Sequence, residues 1–429
     1  MQDEKLPRSL GAWSLWLLVV NGLIGAGIFG LPSGAAALAG PWSPWVYLFC
    51  SLLILPILLC FAELASYFRG SGGPIRYANE AFGPFWGFQA GWLYYVARMV
   101  SFAANSVLLV DSIAWFVEGA NQGVLRSLLL TLIIGCMTLV NVLGAVQSIR
   151  SLAGFTVLKF AVLILLVAAG LVLMGDSITP LPSASIENWD LGAATLLLIY
   201  AFVGFESVLV PAGESKNPAR DMPRALIWGL LGVTLLYMLI QWVSLAVVPG
   251  VAQSKTPLLD VASTLLGPVG ASILMLGVLA SVGGNLLGAL FSTPRTTYAL
   301  ALEKSLPDWF ARVHPRYLTP SNSIWLFGIL ALLMALFGSF MWLAAATVLS
   351  RLLMYMLSVA ALPKLRARHA KSGVSEGFVL PGGYLFMVLA FAACLWLMWQ
   401  VSLGSLMMTS AAVMVGTLLF FAASRRNGQ

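Results

Sequence analysis

Apolar residues fill the chain in long blocks that short polar connections separate. About 20 consecutive apolar residues are enough for a helix to span a bilayer core, so each block predicts a membrane-spanning helix. The pattern predicts twelve spans, at residues 13–38, 43–67, 84–116, 126–145, 151–174, 190–213, 225–248, 268–300, 322–340, 342–362, 383–402 and 405–423. No linker or soluble domain interrupts the series.

The composition supports the same class of protein. Of 429 residues, 60% are hydrophobic and only 9% are charged, whereas soluble domains average about 25% charged residues. This excludes a soluble globular protein, a disordered chain and a coiled coil. The sequence therefore predicts a single, all-helical integral membrane domain in contact with the lipid bilayer.

The distribution of positive charge predicts the orientation. With the N-terminus in the cytoplasm, 18 of the 23 Lys and Arg residues fall on the cytoplasmic side of the twelve spans. Basic residues favour the cytoplasmic side, so both termini are expected in the cytoplasm. The expected location is the inner membrane of the cell. The net charge of +7 then reflects topology and does not indicate a nucleic-acid partner. The first ten residues are too polar for a cleaved signal peptide, so the first span is expected to remain.

Two of the predicted spans contain helix-breaking residues at their centres. The first holds the run NGLIGAGIFGLP, residues 21–32, and the sixth holds YAFVGFES, residues 200–207, followed by Pro211 and Gly213. Broken backbone at membrane depth persists where it is buried in protein or lines a cavity. The two breaks are five helices apart, as expected for inverted repeats of five helices each. Close helix packing through small residues is the alternative interpretation.

Several stretches resemble the amino acid–polyamine–organocation superfamily of transporters. They are IGAGIFGLP in the first span, FAELASYFRGSGGPIRYANEAFGPFWGFQAGW after the second, AFVGFESVLVPAGESKNPARDMPRAL in and after the sixth, and TPRTTYALALEKSLPDWFARVHPRYLTPSN after the eighth. The resemblance implies a LeuT-like fold with residues 1–174 as first repeat, 190–362 as second repeat, and 383–423 as two extra helices. It implies secondary active transport of amino acids by alternating access.

The two breaks can bind an amino acid zwitterion without a charged side chain. Amides at the N-terminal end of a half-helix attract a carboxylate, and free carbonyls accept hydrogen bonds from an ammonium. The expected carboxylate site comprises Gly25, Ala26 and Gly27. The expected ammonium acceptors are carbonyls near Asn21, Gly22, Tyr200, Ala201 and Val203.

Lys159 lies at the centre of the fifth span, where insertion scales disfavour a lysine by roughly 2.5–3.5 kcal/mol. The superfamily resemblance aligns it with a lysine that occupies the cation site of sodium-coupled relatives. We therefore expect sodium-independent transport, with the ammonium donating to the first break and to Ser281, and with Tyr237 nearby. A buried lysine can also exchange a proton during the cycle. Snorkelling toward an interface is the alternative.

Three further charges within spans have two interpretations each. Glu206, directly after the sixth break, either senses protons or stabilises the broken backbone through a hydrogen bond. Arg98 either pairs with Glu206 or an acidic substrate side chain, or forms a structural ion pair. A fixed cation there would repel arginine, lysine and polyamines. Arg351 is expected to be structural, as is Glu63.

The remaining pocket candidates are aromatic or polar. The resemblance places Tyr200 at an aromatic gate, and we expect Tyr94, Phe102, Ser281 and Asn285 to line the side-chain pocket. Aromatic rows also serve in packing, so each could equally be structural.

Neutral amino acids are the expected substrates, moved by proton symport or by exchange, and a polyamine or cationic amino acid transporter of the same superfamily is the alternative. A channel would need charge rings or a filter repeat. An enzyme would need a nucleophile with its base or metal ligands, and neither the two histidines nor the four cysteines have such spacing. The sequence predicts no metal and no cofactor, and it allows a monomer or a homodimer.

Overall fold

The computed structural model describes residues 11–68, 73–144, 150–174, 177, 190–209, 218–371, 378–380 and 382–426. Every regular element in these residues is helical. Sixteen α-helices are present in the described part: α1 Ala12–Leu23, α2 Gly27–Ala39, α3 Ser43–Tyr67, α4 Gly73–Phe82, α5 Pro84–Ile113, α6 Gly123–Val142, α7 Arg150–Met174, α8 Leu191–Leu198, α9 Glu206–Leu209, α10 Pro218–Val247, α11 Pro257–Val278, α12 Gly284–Leu302, α13 Ser321–Phe337, α14 Phe340–Lys371, α15 Leu385–Trp399 and α16 Leu403–Arg426.

Each of the twelve apolar blocks overlaps one or more of these helices. Eight helical stretches of the described chain are long and apolar enough to cross a membrane, and three shorter apolar helices accompany them. The sequence pattern did not indicate α4, an amphipathic helix in the connection between the second and third blocks. The number of membrane crossings stays a prediction.

The first block is broken as predicted, between α1 and α2. The interruption covers residues 24–26, and Ile24 adopts a non-helical backbone conformation. Pro32, the last of the predicted breaking residues, lies inside α2 and does not interrupt it. The glycines therefore mark the break more accurately than the proline does.

The sixth block is broken between α8 and α9. A short 3-10 turn, Ile199–Phe202, follows α8, and Val203 then has extended backbone. Gly204 has φ +117°, a conformation that side chains other than glycine rarely adopt. A Cβ at Gly204 would lie 2.4 Å from the carbonyl oxygen of Gly22, so the two breaks touch at this point. Pro211 and Gly213 lie outside the described residues.

The eighth block also departs from a regular helix. A π-helical turn, Leu279–Gly283, joins α11 to α12, and Gly267 introduces a kink near the start of the block. π-Turns occur often at functional sites because they displace the residues that follow them. Here the turn holds Ser281, which hydrogen-bonds to the first break.

Candidate functional site

A cavity lies where the two breaks meet. Residues of the first break, the sixth break, α5, α12 and α14 line it: Gly22, Leu23, Gly25, Ala26, Gly27, Arg98, Ser101, Asn105, Tyr200, Val203, Gly204, Asn285 and Arg351. The cavity therefore combines backbone polar groups from the breaks with polar side chains from the surrounding helices. Among the predicted substrate-binding residues, Ala201 and Tyr94 are absent from its lining.

The wall formed by the first break offers amide donors. The first amides of a helix have no carbonyl partner within that helix, and α2 begins at Gly27. The amides of Ala26 and Gly27 donate to no backbone carbonyl among the described residues. The amide of Gly25 differs from the prediction, because it donates to the Leu23 carbonyl at 3.1 Å. Ala26 and Gly27 are therefore the better candidates for binding an anion.

Several break carbonyls already have partners inside the protein. The hydroxyl of Tyr237 donates to the carbonyls of Leu23, at 2.9 Å, and Ala201, at 3.3 Å. The Ala201 carbonyl is therefore part of the Tyr237 bridge between the two breaks. Ala201 does not line the cavity, whereas its neighbours Tyr200 and Val203 do. Tyr200 donates its hydroxyl to the Asn105 side-chain oxygen at 2.9 Å, which fixes its ring at the cavity edge.

The bridge made by Tyr237 predicts a measurable effect. We expect Tyr237→Phe to lower transport several-fold and to destabilise the protein by about 1–2 kcal/mol, because two buried carbonyls lose their donor. Uptake and thermal unfolding of the purified protein check this.

Tyr47→Phe is the matched control for that variant. Tyr47 is also fully buried and packs on Tyr237 with ring centroids 5.7 Å apart, but its hydroxyl has no hydrogen-bond partner among the described residues. Its replacement should change neither quantity. Equal effects of the two variants would show that ring packing matters and the bridge does not.

Lys159 on α7 reaches the first break from outside the cavity. Its ammonium donates to the side-chain oxygen of Asn21 at 2.7 Å, to the Asn21 carbonyl at 3.2 Å and to the Ile24 carbonyl at 2.5 Å. The residue is only 3% exposed, which contradicts the snorkelling alternative. The hydroxyl of Ser281 donates to the Gly25 carbonyl at 3.4 Å. The expected hydrogen bond between Ser281 and Lys159 is not among those of the described residues.

Glu206 forms the centre of a second buried polar group. One carboxylate oxygen accepts from the Gly204 amide at 2.8 Å and from the Tyr355 hydroxyl at 2.9 Å. The other lies 3.3 Å from Nε of Arg351, which also donates to Ser101 at 3.2 Å. Glu206 therefore stabilises the broken backbone, as one of its two interpretations required.

This arrangement decides between the interpretations of Arg98 as far as Glu206 is concerned. The cation beside Glu206 is Arg351 and not Arg98, and Arg351 also lines the cavity. Glu63 forms a bidentate ion pair with Arg366, with both N–O distances 2.6 Å. Phe102, a further pocket candidate, packs on Phe327 and does not line the cavity.

A sequence model of the amino acid permease family matches residues 10–420. The chain belongs to this family. As a family member it is an integral membrane transporter, which the apolar helices agree with.

Three relatives from Bacillus subtilis (strain 168) align with nearly the whole permease. The methylthioribose transporter is 27% identical over 99% of this chain and 95% of its own. The serine/threonine exchanger SteT is 25% identical over 97% and 96%, and the branched-chain amino acid permease BcaP is 26% identical over 100% and 95%. Amino acid transport in general follows from this similarity.

Sequence reasoning missed several residues of the permease cavity. Ser101 and Asn105 were not predicted, although Ser101 follows Arg98 by three residues on α5 and Asn105 follows Ser101 by four. Side chains at this spacing share one helix face, so Arg98 itself was the signal that could have found them. Asn21 was predicted for its carbonyl alone, and its side chain also binds Lys159.

Proposed function

We propose that this permease moves uncharged amino acids across the cell inner membrane by alternating access, without sodium, by proton symport or by exchange. The observation that carries the proposal is the cavity between the two breaks. Its lining includes Ala26 and Gly27, whose amides donate to no backbone carbonyl among the described residues, and also Gly22, Tyr200 and Val203, whose carbonyls we assign to the ammonium. A zwitterion needs both kinds of group, and helix ends supply them without fixed charges.

Sodium independence is supported by the position of Lys159. A lysine ammonium carries a single positive charge and three donors, so it can take the place of a monovalent cation between carbonyl oxygens. Here it is bound to two carbonyls and an amide oxygen around the first break. With this group in place, no further cation is needed to hold the break.

The helix packing supports the proposed inverted repeat. The first span packs on the seventh through α1 and α10, and the sixth packs on the second through α8 and α3. Likewise, α5 of the third span packs on α14 of the tenth, while α7 of the fifth packs on α11 of the eighth. Shifting each span number by five converts one pair into the other, as two equivalent repeats require. Two further helices complete the twelve proposed crossings, and the excess of basic residues in the connections assigned to the cytoplasm supports two cytoplasmic termini.

The experiment is uptake of labelled solutes into proteoliposomes. The panel comprises neutral, acidic and cationic amino acids, putrescine and methylthioribose, each with and without sodium, a pH gradient and internal unlabelled substrate. We expect sodium to leave uptake of a neutral amino acid unchanged. Stimulation by the gradient would identify symport, and stimulation by internal substrate would identify exchange.

Two results would contradict this proposal. Strict sodium dependence would show that Lys159 does not replace the cation. Uptake of putrescine or lysine alone would show that Arg98 does not exclude cations and would favour the polyamine or cationic amino acid alternative.

A further inference from the structure

One face of α5 presents three polar side chains to the cavity, and only one of them is unpaired among the described residues. Asn105 accepts from Tyr200, and Ser101 lies within hydrogen-bond distance of both Thr347 and Arg351. Arg98, which lines the same cavity one turn away, has no hydrogen bond or ion pair with any described residue. Its Nε atom is buried without an acceptor from this part of the chain.

The other cations near the cavity are already matched by protein groups. Arg351 is paired with Glu206 and Ser101, and Lys159 with oxygens of the first break. Arg98 as a whole is partly exposed, but its Nε atom is buried without an acceptor from the described residues. A buried donor of this kind is costly, because it has given up water and gained no partner. Such a group in a substrate cavity is expected to find its partner on the ligand. A guanidinium donates only, so the partner must be an acceptor atom.

We propose that Arg98 binds an oxygen atom on the side chain of the transported amino acid. The inference rests on the proposed function, in which the α2 amides bind the backbone carboxylate. With that end bound, the side chain occupies the rest of the cavity, where Arg98 lies. The preferred substrates then carry a side-chain hydroxyl, amide or carboxylate, and aliphatic amino acids of the same size are poorer substrates.

The test compares amino acids of nearly equal shape that differ in this oxygen. Proteoliposomes with the wild-type protein are given threonine against valine, and asparagine against leucine, in competition. We expect preference for the oxygen-bearing member by about tenfold or more, the size of one charge-assisted hydrogen bond. Arg98→Met should bring both ratios close to one, and Arg98→Lys should give intermediate ratios. The ratios are internal to each preparation, so different absolute rates do not affect them.

A second comparison identifies the chemical source of the oxygen. Aspartate against asparagine distinguishes a carboxylate from an amide. An aspartate preference that Arg98→Met removes would keep this inference but overturn the uncharged substrates of the proposed function. An asparagine preference that depends on Arg98 supports both.

Other outcomes overturn the inference. Equal uptake of threonine and valine by the wild-type protein refutes it whether or not the variants fold. So do threonine-to-valine ratios that Arg98→Met leaves unchanged. In both of these results amino acids are still transported, so they differ from failure of the proposed function. If no amino acid is taken up at all, the proposed function and this inference are both refuted.

Discussion

Replacing Lys159 with alanine is expected to reduce amino acid uptake at least tenfold, or to make the remaining uptake insensitive to pH. The ammonium is bound to Asn21 and Ile24, and these oxygens lose their donor in the variant. Each hydrogen bond to a charged group contributes about 1.5–3 kcal/mol, so losing them changes the conformational equilibrium of the first break by a large factor. Initial uptake rates between pH 5 and pH 8 measure both effects.

One further variant separates the charge of Lys159 from its volume, and a second is a control at another lysine. Lys159→Met keeps the length of the side chain and should be as inactive as alanine. Lys255→Ala removes an exposed lysine from a connection outside the membrane helices and should leave uptake unchanged. Wild-type uptake with its normal pH profile in Lys159→Ala would show that the ammonium neither holds the break nor exchanges a proton.

The helix breaks could be predicted because their cause is local. Glycine lowers helix stability wherever it occurs, so runs such as residues 21–32 indicate interruption without knowledge of the fold. The prediction that Pro32 belongs to the break is wrong, because proline is tolerated within a membrane helix when neighbouring groups satisfy the freed backbone groups. Here α2 continues through Pro32, whose missing amide would have donated to the Ile28 carbonyl within the same helix.

The charge pairs could not be predicted, because they join residues far apart in the chain. Glu206 meets Arg351, and Glu63 meets Arg366, across separations of more than a hundred residues. Arg98 and Arg351 were both plausible partners for Glu206, and only the packing of α14 against α5 and the sixth block decides between them. The contact of Lys159 with the first break was expected from the family resemblance, whereas its bond to the Asn21 side chain required the structure.

Replacing Gly27 with leucine is expected to remove substrate binding while the protein stays folded. A Cβ at this position would lie 3.3 Å from Cδ1 of Tyr200 and 3.4 Å from Cα of Ala201. The larger side chain would therefore fill the space between the two breaks and keep a carboxylate away from the amides of Ala26 and Gly27. Because several kcal/mol of charge-assisted hydrogen bonding depends on that approach, we expect affinity to fall about a hundredfold or more. Equilibrium binding of labelled substrate in detergent measures the loss.

Gly27→Ala and Gly232→Leu make this prediction specific to the site. Alanine adds only the Cβ, which its neighbours can accommodate by shifts of a few tenths of an ångström, so its affinity should lie between wild type and leucine. Gly232 lies on the exposed face of α10, where an added Cβ would have no described atom within 4 Å, so leucine there tests bulk at a helix glycine without touching the cavity. Its binding and melting temperature should match the wild type. Wild-type affinity in a folded Gly27→Leu protein would place the carboxylate site elsewhere, whereas loss of binding in both leucine variants would indicate a general effect of bulk on the helices.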